Sequence, residues 1–417
     1  MKQLDIFNKP YGPVNLSYDF KNALWIAICL FFSCTLQPFC LNAHQDTSCL
    51  NRIHPTDAVL MITPEGQILL RQNESKKHIP ASTLKILTAL TALHRLGLDY
   101  RFRTEFYTDA DHNLIIKGYG DPLLTSEVLQ EISGVIAGKI TEFNHLILDS
   151  TYFFQKIKVP GVGNSTNPYD APLGALCANF NTIFFDRDCQ NQIISAEPQT
   201  PMTPFARTKI RELGQEKGRY TFGHDPIDAT RYTGELFLHF IKKKGIACMG
   251  EISLGRVRPE DKIIYTHQSC HSLKIVLKKM LEFSNNFIAN QVCITMGAHI
   301  HGPPGTLEKG VSVISKYAEE ELHLTGLEIV EGSGISRQNR ISALDMIVVL
   351  RKFSPYRNLL KHSGKILFKT GTLKGINTRA GYIKSSTDAP CPFVIFLNNG
   401  NGDIEGLMGC IEEQIAR

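Results

Sequence analysis

Along the chain the apolar positions change their spacing several times. Two short runs, "AVLMIT" and "GQILL", are joined by "PEG" and predict a strand hairpin. From Ser82 the spacing lengthens: Leu84, Leu87, Leu90 and Leu93 recur every three residues up to Gly97, which predicts a helix with a broad apolar face. Between about 104 and 265 short strand-like runs such as "NLIIKGYG" and "HLILDSTYF" alternate with loops rich in Gly, Pro and Asn, notably "VPGVGNSTNPYDAPLG". A long helical pattern returns there only at "DATRYTGELFLHFIKKKG". From His271 onward "HSLKIVLKKMLEFSNNFIANQVCITMGAH" reads as helix around a break at Ser284, and "TLEKGVSVISKYAEEELHL" as a second amphipathic helix. "GKILFKTGTLKG", "NTRAGYIKS" and "CPFVIFLNNG" read as successive antiparallel strands, and "IEGLMGCIEEQIAR" as a terminal helix. The expected architecture is an α/β domain, residues 44–103 plus 266–417, with an antiparallel sheet under helical cover; a mainly β insertion, 104–265, interrupts it.

A chain of 417 residues suits two or three domains, and 43% hydrophobic with 20% charged residues describes a globular protein. A formal charge of +5 falls well short of the basic stripe that nucleic-acid binding needs, so no nucleic-acid partner is expected. At the N-terminus Lys21 precedes the apolar run "ALWIAICLFFSCTL", followed by Pro38 and Ala43. That run is shorter than the roughly 20 residues of a membrane span, and residues 1–43 read as a secretory signal peptide or an uncleaved membrane anchor. Cys34 as a lipoprotein cysteine is the less favoured variant. The body is therefore expected outside the cytoplasm, in a periplasmic or equivalent compartment. The 11 cysteines fit an exported chain, and the absence of C-x-x-C pairs among them gives no support to a zinc or redox motif. No metal or organic cofactor is expected.

The candidate chemistry starts in "ASTLK". A serine hydroxyl needs a base within hydrogen-bond reach to act as a nucleophile, and Lys85 lies three residues after Ser82, on the same face of a helix. The same pattern also describes a helix cap followed by a solvated lysine. Ser82 is the only serine in the chain with lysine three positions later. For Lys85 to serve as base its pKa must fall, which burial beside a second lysine achieves. "FKTGTLKG" supplies that lysine: Lys369, Thr370, Gly371 and Thr372 lie on a predicted strand, with Gly371 permitting close backbone approach and Lys369 with Thr370 able to hold a carboxylate. Of two S-x-N candidates, Ser165-Thr166-Asn167 sits in the Gly/Pro-rich loop and reads as a turn. The favoured one is Ser284-Asn285-Asn286, a polar interruption of an apolar helix.

S-x-x-K, S-x-N and K-T-G in this order resemble the signature of serine penicillin-recognising enzymes. With "GYGDPLLT", "EGSGISRQNRIS" and "FKTGTLKGINTRAGYI" the chain from about residue 50 resembles the class C low-molecular-mass penicillin-binding proteins, D-alanyl-D-alanine carboxypeptidases and endopeptidases. The resemblance implies a serine β-lactamase/penicillin-binding-protein fold and action on peptidoglycan stem peptides, with β-lactams as acylating ligands. It implies Ser82 as nucleophile, Lys85 as base and Ser284 as proton relay to the leaving D-alanine. Asn286 would hold the substrate peptide, Lys369 and Thr370 the terminal carboxylate, and the N–H groups of Ser82 and Thr372 the oxyanion, beside Gly371. Arg337 either borders the substrate groove or steadies a loop. Class C members often carry Trp and Asp after "PG" in the insertion, whereas this chain reads "PGVGNSTNPYDAP" and has Trp25 alone. Rival readings are a β-lactamase or esterase on the same fold, and a non-catalytic wall-binding or β-lactam-sensing protein. His299 and His301 lack carboxylate or cysteine support for a metal site and read as polar loop positions. If the enzyme reading is right, Lys85 should be buried, face Ser82 and Ser284, and lie near Lys369.

Overall fold

A strand covered on both faces needs apolar side chains at every position, which is why "CPFVIFL" does not alternate. In the computed structural model, which describes residues 47–384, 389–400 and 402–416, this strand, Pro390–Leu397, lies inside a six-stranded antiparallel sheet. The order across the sheet is Lys361–Ser363, Ile366–Leu373, Ile376–Lys384, Pro390–Leu397, Ala58–Ile62 and Ile68–Gln72. The hairpin expected around "PEG" is present, Leu60 pairing with Arg71 and Met61 with Leu70.

Phe393, Ile395 and Leu397 point to one face, where Val59, Met61 and Leu70 meet Ile404, Leu407 and Ile411 of the terminal helix Ile404–Ala416. The Cys49–Cys410 disulfide closes that layer across 361 residues of sequence. Val394 and Phe396 point to the other face, against Leu87 and Leu90 of helix Lys85–Arg95 and Met346 and Leu350 of helix Ala343–Phe353. Behind these lie helices Leu273–Glu282, Asn286–His301 and Leu307–Leu322. The second is buried on every side from Phe287 to Ala298, as its lack of a polar stripe requires.

A separate apolar core is drawn from Phe106 to Ile246. Its sheet runs Ile252–Leu254, Leu146–Asp149, Leu114–Gly118, Arg101–Thr108, Lys262–Ser272, and its first two pairings are parallel. Helix Ser126–Ala137 makes the crossover between Leu114–Gly118 and Leu146–Asp149. The chain passes into and out of this core through one antiparallel strand pair, Thr104 facing His267.

The segment is richer in helix than its sequence texture suggests. Besides Pro226–Lys243 it contains Ser126–Ala137 and Pro204–Leu213, so it is mixed rather than mainly β. Ser126, Ser133 and Gly134 disguise the first, although Val128, Leu129, Ile132 and Ile136 form a buried stripe. The second carries its own boundary signals: Thr203 accepts a hydrogen bond from the Ala206 N–H, Pro204 opens the first turn and Gly214 closes it at φ 64°. The signal or anchor expected over 1–43 lies outside the described residues. Among those described, no helix is long and apolar enough to cross a membrane.

Candidate active site

Ser82 stands in a single 3-10 turn, Ala81–Leu84, immediately before helix Lys85–Arg95. It is half-buried, whereas Ala81, Thr83 and Leu84 are buried. Ala81 holds φ 46°, a left-handed conformation that costs a residue with a Cβ on the order of 1 kcal/mol or more. The turn is pinned from both sides: Thr83 and Thr378 hydroxyls donate to the Pro80 carbonyl at 2.7 and 2.8 Å. Gly334 and Gly371 pack against its backbone; a Cβ on Gly371 would stand 2.7 Å from the Ser82 nitrogen, and one on Gly334 would overlap the Ala81 carbonyl.

The Lys85 side chain is fully buried. Its Nζ lies 2.9 Å from Ser82 Oγ, 2.7 Å from Asn286 Oδ1 and 2.7 Å from the Ser333 carbonyl oxygen. The last two groups can only accept, while a serine hydroxyl can donate. A neutral amine fits this arrangement with two N–H groups given to Asn286 and Ser333 and its lone pair turned to the Ser82 hydroxyl. Burial holds the Lys85 pKa well below the ordinary lysine value, Lys369 pushes in the same direction, and Glu331 opposes both.

The expected contact of Lys85 with Ser284 is absent. Ser284 occupies the break between Leu273–Glu282 and Asn286–His301 with φ 53°, and its hydroxyl bonds to none of the described residues. That left-handed turn sets Ser284 on the wall of the cleft, and the next helix, capped by Asn285 on the Ile288 N–H, brings Asn286 to the amine instead.

The third partner of Lys85 was not foreseen. Segment 331–340 is folded around the fully buried Glu331. Its Oε2 accepts from Ser333 N, Ser333 Oγ and Asn290 Nδ2, and its Oε1 from Gly334 N, Ser336 N and Asn339 Nδ2, at 2.6–3.3 Å. Thr88 ties the same segment to the Lys85 helix by donating to the Gly332 carbonyl at 2.6 Å. In this way a carboxylate outside the cleft fixes where the Ser333 carbonyl stands.

Strand Ile366–Leu373 forms the opposite wall. Lys369 is buried, donates to the Thr370 carbonyl at 2.6 Å, and has a pKa lowered to about 8 by burial and then by Lys361. Thr370 and Thr372 alternate outward from Lys369 and Gly371 and are exposed.

Ser82, Ser284, Asn286, Arg337 and Thr372 line one cavity of about 870 Å³. Arg337 also donates to the Lys374 carbonyl, so it joins two lips of the opening while lining it. The Gly/Pro-rich loop contributes a wall that the turn reading missed, including Gly161, Ser165, Tyr169 and Asp170. Ser165 is committed there, donating to Asp170 Oδ2 at 2.5 Å and accepting from Asn167. His299 and His301 close the last turn of their helix; the His299 ring meets the Tyr100 ring edge-on. The described residues contain no cluster of His, Cys, Asp or Glu suited to a metal ion.

Comparison with known proteins finds relatives over most of the chain. D-alanyl-D-alanine carboxypeptidase DacB of Haemophilus influenzae is 23% identical over 411 residues, covering 82% of this chain and 85% of that protein. A D-alanyl-D-alanine carboxypeptidase of Actinomadura sp. (strain R39) is 25% identical over 421 residues, covering 82% and 77%. The crystal structure of penicillin binding protein 4 (dacB) from H. influenzae superposes with a TM-score of 0.73 at 20% identity over 89% of this chain and 99% of that one, so the fold is shared. That protein has also been solved with a β-lactam bound. A model of the D-Ala-D-Ala carboxypeptidase 3 (S13) family matches residues 56–218 and 219–362, most of the chain, and the protein belongs to that peptidase family.

Proposed function

We propose that this chain is an exported serine carboxypeptidase, and an endopeptidase on cross-links, that cleaves D-Ala-D-Ala stem peptides of peptidoglycan through an acyl-serine intermediate. The observation that carries the reading is the fully buried Lys85 amine, held by two pure acceptors with its third position on Ser82 Oγ. Lys85 takes the Ser82 proton as Oγ attacks the carbonyl carbon of the penultimate D-alanine. The N–H groups of Ser82 and Thr372 receive the oxyanion, beside Gly371. The Ser284 hydroxyl gives its proton to the nitrogen of the departing D-alanine and is reprotonated by the proton that Lys85 took from Ser82; the neutral Lys85 then takes a proton from the water that hydrolyses the ester. Asn286 and Arg337 border the peptide, and Lys369 with Thr370 holds its terminal carboxylate. Residues 44–103 with 266–417 act as the peptidase body and 104–265 as an insertion, a reading supported by the second apolar core drawn from Phe106 to Ile246, while Leu123, Phe153, Ala171, Leu173, Ala175 and Cys177 of the insertion pack into the core of the body. Export is supported by the N-terminal apolar segment and by the Cys49–Cys410 disulfide, a bond suited to an oxidising compartment.

Purified protein incubated with labelled penicillin should form a long-lived adduct that mass spectrometry places on the peptide containing Ser82. It should also release D-alanine from a pentapeptide muropeptide. Absence of both would remove the enzyme reading and leave a wall-binding or sensing protein. Prompt loss of the label with turnover would instead favour a β-lactamase or esterase.

A pH profile follows from the two lysines. Activity needs Lys85 neutral, so kcat/KM rises with pH through that depressed pKa. It needs Lys369 charged to hold a carboxylate, so kcat/KM falls as pH passes about 8. Arginine stays protonated, so Lys369→Arg should move the basic limb upward even where absolute activity drops. An unmoved basic limb in that variant would separate it from Lys369.

A further inference from the structure

Outside the catalytic cleft, the insertion and the segment at Pro303 and Pro304 enclose a second cavity of about 810 Å³. Four cations line it: Arg103, Lys117, Lys156 and Arg256. Arg103 is paired with Glu105 at 3.2 Å and Lys117 with Asp149 at 3.8 Å, whereas Lys156 and Arg256 have no ion-pair partner among the described residues. The wall thus carries two uncompensated positive charges. It also carries aromatic faces. Arg103 stacks 4.1 Å above the Tyr119 ring, Tyr119 lies 4.8 Å from Tyr152, and Phe154 leaves 55% of its surface exposed. Tyr119 belongs to "GYGDPLLT", a segment to which the proposed reaction gives no task.

The cavity is built rather than a gap between loose loops. Phe154 N donates to the Gly305 carbonyl and Gly305 N to the Tyr152 carbonyl, both at 2.8 Å, while Asp149 Oδ1 accepts from Thr151 N and Oγ1. A smaller neighbouring cavity shares Thr151, Phe154, Gln155 and Arg256 with it, which lengthens the opening into a groove. The same chain segment then runs to the catalytic cleft, where Gly161 is a wall residue. Gly161 comes five positions after Lys156, and even a fully extended chain spans at most about 18 Å over that distance.

Unpaired cations recognise carboxylates, and aromatic ring faces accept the C–H faces of sugars. We propose that this groove is a second binding site for the peptidoglycan substrate, taking sugar rings on Phe154 and Tyr152 and the carboxylates of a neighbouring stem peptide on Lys156 and Arg256. The inference rests on the peptidoglycan reading above and adds a site that retains polymer while one stem peptide occupies the cleft. A cavity with two uncompensated charges beside ring faces matches a sparsely charged saccharide–peptide polymer better than a nucleic acid, which places a charge on every residue.

The test uses the full chain carrying Ser82→Ala, so that the polymer is bound but not cut, and purified insoluble sacculi. Adding Lys156→Glu and Arg256→Glu together should weaken co-sedimentation about tenfold at low salt, as expected for two exposed charge pairs turned repulsive. Phe154→Ala should weaken it by a smaller factor that salt does not change. In protein with Ser82 intact, the same double substitution should leave penicillin acylation and D-alanine release from a soluble pentapeptide within about twofold, which also reports correct folding. Unchanged co-sedimentation of the double variant overturns the second site. Failure of the parent chain to take penicillin and to release D-alanine overturns the catalytic reading instead, and the sedimentation arm remains readable in either case.

Discussion

Replacing Lys85 by methionine is expected to stop acylation of Ser82 as completely as Ser82→Ala does. Methionine roughly matches the shape of the buried stem but removes the amine that stands 2.9 Å from Ser82 Oγ, and among the described residues no other base lies within hydrogen-bond reach of that hydroxyl. Residues that act as one unit are strongly non-additive, with single losses on the order of 10⁶ in kcat where nucleophile and base have been removed in turn. Each single variant should therefore fall by a comparable factor, and Lys85→Met with Ser82→Ala should be no worse than either alone. Methionine also leaves Asn286 Oδ1 and the Ser333 carbonyl without their donor, each costing about 1–3 kcal/mol. A lowered urea midpoint should accompany the loss, so the folded fraction must be measured beside the penicillin-binding rate. A folded Lys85→Met protein that retained acylation within tenfold of wild type would end the general-base role.

What was legible in the sequence was chemistry confined to a few neighbouring residues or to an interrupted pattern. Ser82 and Lys85 lie one turn apart, so the helix alone brings them together. "SNN" betrayed itself as a polar break in an apolar helix, and "CPFVIFLNNG" as one of the successive antiparallel strands. The central sheet and its helical cover followed from such runs.

What was illegible depends on where distant segments meet. Asn286 rather than Ser284 reaches Lys85 because a left-handed turn at Ser284 changes which side chain faces inward, and no spacing rule contains that φ angle. Ser165-Thr166-Asn167 reads as a turn within a Gly/Pro-rich loop, and only folding makes residues 161–170 a wall of the cleft. Cys49 and Cys410 are joined by topology, and pairing among so many cysteines is not encoded in their spacing. The two unforeseen helices in the insertion bury narrow stripes diluted by Gly, Ser and charged positions, so the turn-rich texture outweighed a periodicity that was present.

Glu331→Gln is expected to be the most damaging isosteric substitution away from the reacting atoms. Both carboxylate oxygens of Glu331 accept three hydrogen bonds, and an amide can present only one oxygen. Whichever way glutamine turns, its NH₂ group faces donors: Ser333 N and Asn290 Nδ2 on one side, or Gly334 N, Ser336 N and Asn339 Nδ2 on the other. Hydrogen bonds to a buried charge are worth about 1.5–3 kcal/mol each, so a stability loss on the order of 3–5 kcal/mol is expected, read as a lower urea midpoint at unchanged m-value. The segment that loosens supplies the Ser333 carbonyl to Lys85 and Arg337 to the cleft, so acylation should slow as well. A purely structural role would end there. Glu331 also opposes the depression of the Lys85 pKa, so removing its charge lowers that pKa further, and the acidic limb of kcat/KM should move to lower pH in the folded variant. An acidic limb that stays in place while stability falls would confine Glu331 to holding the loop; a limb that moves makes it the residue through which the fold sets how readily Lys85 gives up its proton.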